Sequence, residues 1–296
     1  FYAAGAIWSS RLNDDVDVNI YINWLPWDGA ISLFNASNFS YSQVRDALLA
    51  DRTSASDYLA ASHLQTGDSL SMLINRTSDN PNGAGGATPY LDADGDANNT
   101  QVALTYANAK ALGLRDPHDA ALDGQILIDS QRAWNFAPGG NFIRAAAHEI
   151  GHALGFMSGV DAVDINSQGT YHPDDWFTYV SSLDYFRYST LSAARGANVF
   201  DFSADSRDKY FSIDGGVTKL ASFSTGEVWG NGIQNSHWRL GTTGVMGYGS
   251  TGVTNMDVLA LDVIGWNVVE VPEASAASLL AAAAALGACL LRRRRR

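Results

Sequence analysis

Residues 147–156 read Ala-His-Glu-Ile-Gly-His-Ala-Leu-Gly-Phe, the most informative stretch of the chain. The composition of Phe142–Leu154 predicts a helix, with Asn141 at its N-cap position. His148 and His152 are four residues apart, so on that helix their side chains project from one face, one turn from each other. Gly155 favours a sharp exit from the helix, because glycine adopts left-handed backbone geometry at little cost.

Two imidazoles with this spacing can share one zinc ion. Glu149 is placed so that its carboxylate can reach a metal-bound water and not the metal itself. Zinc lowers the pKa of such a water to about 7, and a nearby carboxylate can take its proton as the water attacks a carbonyl. The stretch therefore predicts a catalytic zinc site with His148 and His152 as ligands and Glu149 as general base.

A catalytic zinc ion needs a third protein ligand and an open position for water. His237 is the first candidate, in Asn235-Ser236-His237-Trp238, since imidazole is the commonest side chain at such sites. Asp161, thirteen residues after His148, is the rival third ligand.

The order of these motifs resembles the leishmanolysin-type branch of the metzincin zinc proteases. In that branch the helix motif ends in Gly-Phe, an insertion follows, and a Ser-His-Trp precedes a tight turn that holds a methionine. Here the turn is Gly244–Gly249, and Ser158 stands where the common metzincin pattern has its third ligand. The resemblance covers about residues 140–266, and it departs from leishmanolysin in having few cysteines, since Cys289 is the single one.

The resemblance implies His237 as the third zinc ligand. It also implies that Met246 is an adaptable apolar floor beneath the metal and takes no part in the chemistry. Tyr248, two residues further on, could donate a hydrogen bond to a developing oxyanion, with an ordinary core or surface tyrosine as the alternative.

Apolar patterning along the rest of the chain predicts an α+β fold, and the resemblance implies that it is metzincin-like. Helices are expected over Ala3–Leu12 and over Tyr41–Leu64 with Ser40 as its cap, and strands over Val16–Leu25, Ser69–Ile74, Val102–Tyr106 and Gln125–Ile128.

We expect a sheet-and-helix subdomain over residues 1–155, which ends in the zinc-binding helix. A more irregular subdomain over residues 156–270 is expected to supply His237 and the methionine turn, with the substrate in the cleft between the two. The strand Gln125–Ile128 is expected at the cleft edge, where an extended peptide could add as a further strand.

Residues 271–296 predict a membrane sorting segment. The 18 small or apolar residues Ala274–Leu291 are about long enough to span a bilayer as a helix, and Arg292–Arg296 are then expected on the cytoplasmic side. The alternative is a soluble alanine-rich helix. Val271-Pro272-Glu273 before this run resembles the bacterial PEP-CTERM sorting signal. That resemblance implies export to the cell envelope or beyond, membrane arrest and processing by an exosortase-type enzyme.

The amino-acid composition argues against two classes of protein. Hydrophobic residues make up 46% of the chain and charged residues 17%, which excludes a wholly disordered protein. The net charge of −12 disfavours nucleic-acid binding, because an acidic body repels phosphate backbones.

The acidic stretch Asp92–Asn99 lacks the glycine and glutamate of an EF-hand loop, so a solvated turn is favoured over a calcium site. His118 and His172 lie beside prolines and are interpreted as surface residues.

These features predict a zinc-dependent endopeptidase that acts on a protein or peptide substrate. One alternative is an exported surface or matrix-binding protein with a structural zinc site, in which Asp161 would close the fourth position. Another is a zinc-dependent hydrolase of non-peptide amides.

Overall fold

The computed structural model describes residues 1–26, 29–166, 168–248 and 252–269, and over these ranges the chain has a mixed α+β fold, as predicted. The helices are α1 Tyr2–Ser9, α2 Tyr41–Asp51, α3 Ala55–Ser62, α4 Ala97–Thr100, α5 Tyr106–Ala111, α6 Asn141–Ala153, α7 Val160–Asn166, α8 Thr190–Ala193 and α9 Asn255–Asp262. The strands are β1 Ile20–Leu25, β2 Ala30–Phe34, β3 Ala36–Ser40, β4 Met72–Ile74, β5 Tyr90–Asp92, β6 Gln101–Thr105, β7 Gly124–Asp129, β8 Arg187–Tyr188, β9 Phe200–Asp201, β10 Lys209–Phe211 and β11 Ala221–Phe223. Two short 3-10 helices span Asp174–Trp176 and Ser182–Phe186.

The sheet beside α6 has the order β1-β7-β2. Strand β7 pairs in parallel with β1 and antiparallel with β2, so the expectation that Gln125–Ile128 forms the cleft edge is wrong. The strand lies at the centre because both of its edges are hydrogen-bonded and its side chains Ile126 and Ile128 are fully buried. Within the described residues β2 is the free edge on this side, and it packs against α6.

Three smaller sheets complete the fold, with the orders β3-β6, β5-β4-β9 and β11-β10-β8. Strand β9 pairs in parallel with β4, so one sheet contains strands from both sides of residue 155. Near the end of the described chain, Trp266 Nε1 donates to the carbonyl of Leu154 at 2.7 Å, and Leu12 forms a β-bridge with Val268. A shared sheet and hydrogen bonds therefore connect the residues before and after residue 155.

The helix expected over Tyr41–Leu64 is two helices, α2 and α3. Ser40 caps α2 as predicted, in a capping box with Gln43. The break follows from a second capping box, in which Ser54 accepts from the N–H of Asp57 and the Asp57 carboxylate accepts from the N–H of Ser54. Such side chains compete with helical hydrogen bonds and favour a helix start over a helix interior.

Three other predicted elements are longer than the observed ones. The strand expected from Val16 begins at Ile20, the strand expected from Ser69 begins at Met72, and α1 ends at Ser9 and not at Leu12. Val16 is nevertheless packed against the core. Alternating apolar residues indicate that one side of a segment is buried. A segment can be buried in this way without hydrogen bonding to a neighbouring strand.

The first residue of α6 is Asn141, and Gly140 occupies the N-cap position, so the prediction of Asn141 as the cap is wrong. The Asn141 side chain accepts instead from the N–H of Asn135 at 2.8 Å. A Cβ at Gly140 would lie 2.2 Å from the Asn135 carbonyl oxygen, so this tight loop admits only glycine at that position.

Among the described residues, no helix combines the length and apolar character that a bilayer span requires. The predicted sorting segment, residues 271–296, lies outside the described residues.

Candidate metal centre

Three imidazoles meet at the inner face of α6. His148 Nε2 lies 3.1 Å from His152 Nε2 and 3.1 Å from His237 Nε2. The first two project from successive turns of α6, and His237 comes from a loop about 90 residues later in the chain. We call these three residues the histidine group, and their arrangement could hold one metal ion.

Hydrogen bonds fix the protonation of two members of the group. His148 Nδ1 donates to the carbonyl oxygen of Val245 at 2.6 Å, and His152 Nδ1 donates to that of Phe156 at 2.7 Å. A neutral imidazole carries one proton, so in both rings Nε2 presents a lone pair to the centre of the group. Two lone pairs 3.1 Å apart repel each other unless a cation lies between them.

Burial favours the same protonation state. It lowers the pKa of His148, lowers that of His237 to about 3, and, together with the other two rings, lowers that of His152 far below its ordinary value. The rings are therefore neutral at physiological pH, which is the form that binds metals. Nitrogens that share a tetrahedral zinc ion are about 3.3 Å apart, close to the separations found here, so the donor set fits a metal.

The turn after α6 holds the His152 ring. Gly155 has a φ of +116°, and the N–H groups of Gly155 and Phe156 bond to the carbonyls of His152 and Gly151, both at 3.0 Å. This paired arrangement ends a helix on a left-handed glycine, as predicted for Gly155. It also turns the Phe156 carbonyl back towards the helix, where it accepts from His152 Nδ1.

Met246 packs against the middle of the histidine motif. It is fully buried, and a Cβ at Gly151 would lie 2.3 Å from its sulfur atom. The preceding residue, Val245, supplies the carbonyl that orients His148. The turn over residues 244–248 therefore acts through packing and through one main-chain acceptor.

Asp257 joins the two loops that complete the site, and the sequence patterns did not single it out. Its buried carboxylate accepts from Trp238 Nε1 at 2.9 Å and from the N–H groups of Val245 and Met246 at 2.8 and 3.2 Å. It also accepts from Thr254, as in a capping box at the start of α9. The Thr254-x-x-Asp257 spacing was the available signal, but it predicts only the cap.

The rival ligand Asp161 is not part of the histidine group. Its carboxylate accepts from the N–H of Asn235 at 2.5 Å and from that of Ser236 at 3.2 Å, and so supports the loop that ends in His237. Burial raises the pKa of Asp161 to about 6, although these hydrogen bonds act to lower it. Ser158 is also engaged elsewhere, since its hydroxyl donates to Asp184 at 2.6 Å.

Glu149 lies beside the histidine group without joining it. The residue is buried, and burial raises its pKa to about 7, while the backbone of Ser32 on β2 acts to lower the pKa. A carboxyl that titrates near neutrality can both accept and return a proton at physiological pH.

An open cleft of about 780 Å³ leads to these residues. Residues of β2 and α6 line it, together with Met157, Ser158, Asp161, Gln234, Ser236 and His237. Tyr248 is 62% exposed, and its ring lies 5.5 Å from the His237 ring, so it faces the cleft from the methionine turn. Its role as an oxyanion donor stays a prediction.

The other sequence candidates lie away from this centre. His118 is exposed and contacts Asp17 at 3.1 Å, and the His172 ring stacks on Trp176 at 4.2 Å. Asp94, Asp96 and Asp174 come within 4.8 Å of one another, but each of these carboxylates also accepts a main-chain N–H of a neighbouring residue.

Comparison of the chain with protein-family models, with curated proteins and with solved structures found no match. The geometry of the histidine group is therefore the main guide to function.

Proposed function

We propose that this chain is a zinc-dependent endopeptidase of metzincin-like architecture. The observation that carries the proposal is the convergence of three neutral imidazole nitrogens beside a buried glutamate in an open cleft. Three histidines and an exchangeable water are a common ligand set of catalytic zinc. When bound, zinc would supply Lewis acidity, which polarises a scissile carbonyl and makes a water molecule a better nucleophile.

Glu149 would take the proton of the attacking water and return it to the leaving amine. Its burial between α6 and β2 keeps the carboxyl close to the pKa that this double role needs. Tyr248 lines the cleft beside the His237 ring and is the proposed hydrogen-bond donor to the oxyanion.

Strand β2 is the proposed docking edge for the substrate. It is the free edge of its sheet within the described residues, and residues 30–32 line the cleft next to Glu149. An extended peptide that pairs with β2 would place its backbone along the cleft. This assignment replaces Gln125–Ile128, which lies one strand further in.

A structural zinc site is less well supported. That alternative needs Asp161 to close the fourth position, whereas its carboxylate binds the main chain of Asn235 and Ser236. An open cleft also suits exchange of water and entry of a polymer.

Export and membrane arrest through residues 271–296, with an exosortase-type enzyme as processing partner, are proposed on the sequence pattern alone. Such a location would bring the cleft to proteins of the cell envelope or of the surroundings.

The test is a casein-cleavage assay of the zinc-loaded chain. We expect cleavage that stops with a chelator and returns with added zinc. Glu149→Gln should retain zinc but lose about 10²- to 10⁴-fold in rate. Asp15→Asn removes the charge of a fully exposed carboxylate outside the cleft and should retain most of the activity. Wild-type rates in Glu149→Gln would remove Glu149 from the mechanism, and absence of chelator-sensitive cleavage would remove the proposal.

A further inference from the structure

Arg144 stands on the face of α6 that carries the histidines. It precedes His148 by four residues, which is one helical turn, and it lines the cleft. Within the described residues its guanidinium has no ion-pair partner. A half-buried cation is thus presented to the cleft one turn from the proposed metal ligands.

Arg132 lies in the loop that leads into α6. Its guanidinium carbon sits 4.8 Å from the centre of the Trp134 ring, and Trp134 Nε1 donates to the carbonyl of Asp129 at 2.7 Å. Trp134 also contacts Phe142, in the first turn of α6, with 5.6 Å between ring centroids. Arg132 and Trp134 both line the cleft, so a fixed aromatic ring supports this second cation near the same end of α6.

The two cleft arginines differ from the paired cations of this chain, which has 31 acidic and 19 basic side chains. Two fully buried cations elsewhere are bound by protein groups. Lys110 pairs with Asp123 at 2.9 Å, and Arg187 donates to Ser224 and Asn235. By contrast, neither cleft arginine forms an ion pair with a described residue. Planar guanidinium groups bind carboxylates through two parallel hydrogen bonds, so such a pair suits an acidic ligand.

We propose that Arg144 and Arg132 form a carboxylate-binding subsite, and that the cleft selects peptides with a carboxylate near the scissile bond. The inference rests on the proposed peptidase function and names its substrate class. The carboxylate can belong to an Asp or Glu side chain or to the peptide's own C-terminus, and the two sources are separable by experiment.

The experiment uses the full chain loaded with zinc and fluorogenic peptides of one scaffold. One series carries Glu, Gln or Lys at each position in turn and has an amidated C-terminus. A second series has neutral side chains and either a free or an amidated C-terminus. We expect kcat/KM to favour the carboxylate over its neutral counterpart by about tenfold or more at one position.

Substitutions then assign that preference to residues. Arg144→Gln should bring the ratio of kcat/KM for the two peptides close to one, and Arg144→Glu should shift the preference towards Lys. Arg195→Gln removes one exposed arginine outside the cleft and should leave the wild-type ratio. An unchanged ratio in Arg144→Gln, or an equal loss in Arg195→Gln, overturns the inference.

Binding separates this inference from the peptidase proposal. The same peptides are titrated calorimetrically into Glu149→Gln and into Glu149→Gln with Arg144→Gln. If no peptide is cleaved, but the carboxylate peptide binds about tenfold more tightly and loses this advantage without Arg144, the peptidase proposal fails and the subsite stands. If peptides are cleaved and neither binding nor cleavage distinguishes carboxylate from amide, the subsite fails and the peptidase proposal stands.

Discussion

At the scale of single residues, the histidine group is set by contacts that leave little freedom. Carbonyl groups of Val245 and Phe156 fix two of the rings, and the sulfur of Met246 occupies the space that a side chain at position 151 would need. Position 151 is therefore a glycine because the Met246 side chain, which packs beneath the histidine motif, leaves no room for a larger residue.

We predict that Gly151→Ala destabilises the fold by about 1–3 kcal/mol, because the new methyl group overlaps Met246 in a filled interior. Alanine normally stabilises a helix interior relative to glycine. The matched control is Gly5→Ala in α1, where a Cβ meets nothing within 4 Å and a gain of about 0.5–1 kcal/mol is expected. Urea denaturation compares the two, and equal stabilisation by both would contradict the packing described here.

Sequence spacing predicted the parts of the site that lie within one helix. The placement of His148, Glu149 and His152 follows from the helical periodicity of α6. The turn at Gly155 follows from the backbone freedom of glycine. His237 could be predicted only from its motif order, because loop positions obey no periodicity. Asp257 was not predicted, since its partners are main-chain groups and a tryptophan ring that only the folded chain brings together.

At the scale of elements, α9 fixes two loops through one residue. The Asp257 carboxylate binds both the His237 loop, through Trp238, and the methionine turn, through Val245 and Met246. These loops supply one ring of the histidine group and the carbonyl that orients another.

We predict that Asp257→Asn weakens zinc binding by about 10- to 100-fold, because an amide cannot accept from all these N–H groups and the two loops lose their common support. The control is Asp46→Asn, which removes an exposed carboxylate paired with Arg45 on α2 and should leave zinc affinity unchanged. Competition with a zinc-binding dye measures both affinities. Wild-type affinity in Asp257→Asn would mean that the loops hold their places without this carboxylate.

Sequence patterns did not predict how these elements are arranged or where some of them begin and end. Gln125–Ile128 is a strand, as predicted, but its place in the sheet depends on β1 and β2, and alternation within one strand says nothing about its neighbours. Strand β2 carried no distinct signal because it is short and half-buried. Residues 41–64 have helical composition throughout, and local capping at Ser54 divides them.

At the scale of the whole molecule, buried acidic residues make stability depend on pH. Asp51, Asp57 and Asp262 come together where α2, α3 and α9 meet, around a small cavity. Burial, reinforced by neighbouring carboxylates, raises the pKa of Asp262 to about 7 and that of Asp51 to about 6, against an ordinary 3.8. The folded chain therefore keeps protons that the unfolded chain releases between about pH 4 and pH 7, and its stability falls as pH rises through this window.

We predict that Asp262→Asn flattens this dependence and raises the melting temperature at pH 8, because the amide is uncharged and can still accept from Ser54. The substitution is expected to reduce the change in the free energy of unfolding with pH by at most of order 1 kcal/mol per pH unit. Asp15→Asn, at a fully exposed carboxylate, should leave the slope as it is. Melting curves recorded from pH 5 to pH 8 test this prediction. If the pH dependence of the melting temperature is the same in Asp262→Asn as in the wild type, the proton is taken up by another residue.

The proposed function depends on one metal ion held by three side chains from two distant parts of the chain. The most direct test is the zinc content of the full chain after zinc loading and dialysis, measured for the wild type, His237→Ala and Asp161→Asn. We predict one equivalent in the wild type, a large loss in His237→Ala, and retention in Asp161→Asn, whose carboxylate supports the loop without binding the ion. Full zinc occupancy in His237→Ala, or none in the wild type, would contradict a zinc site formed by the histidine group.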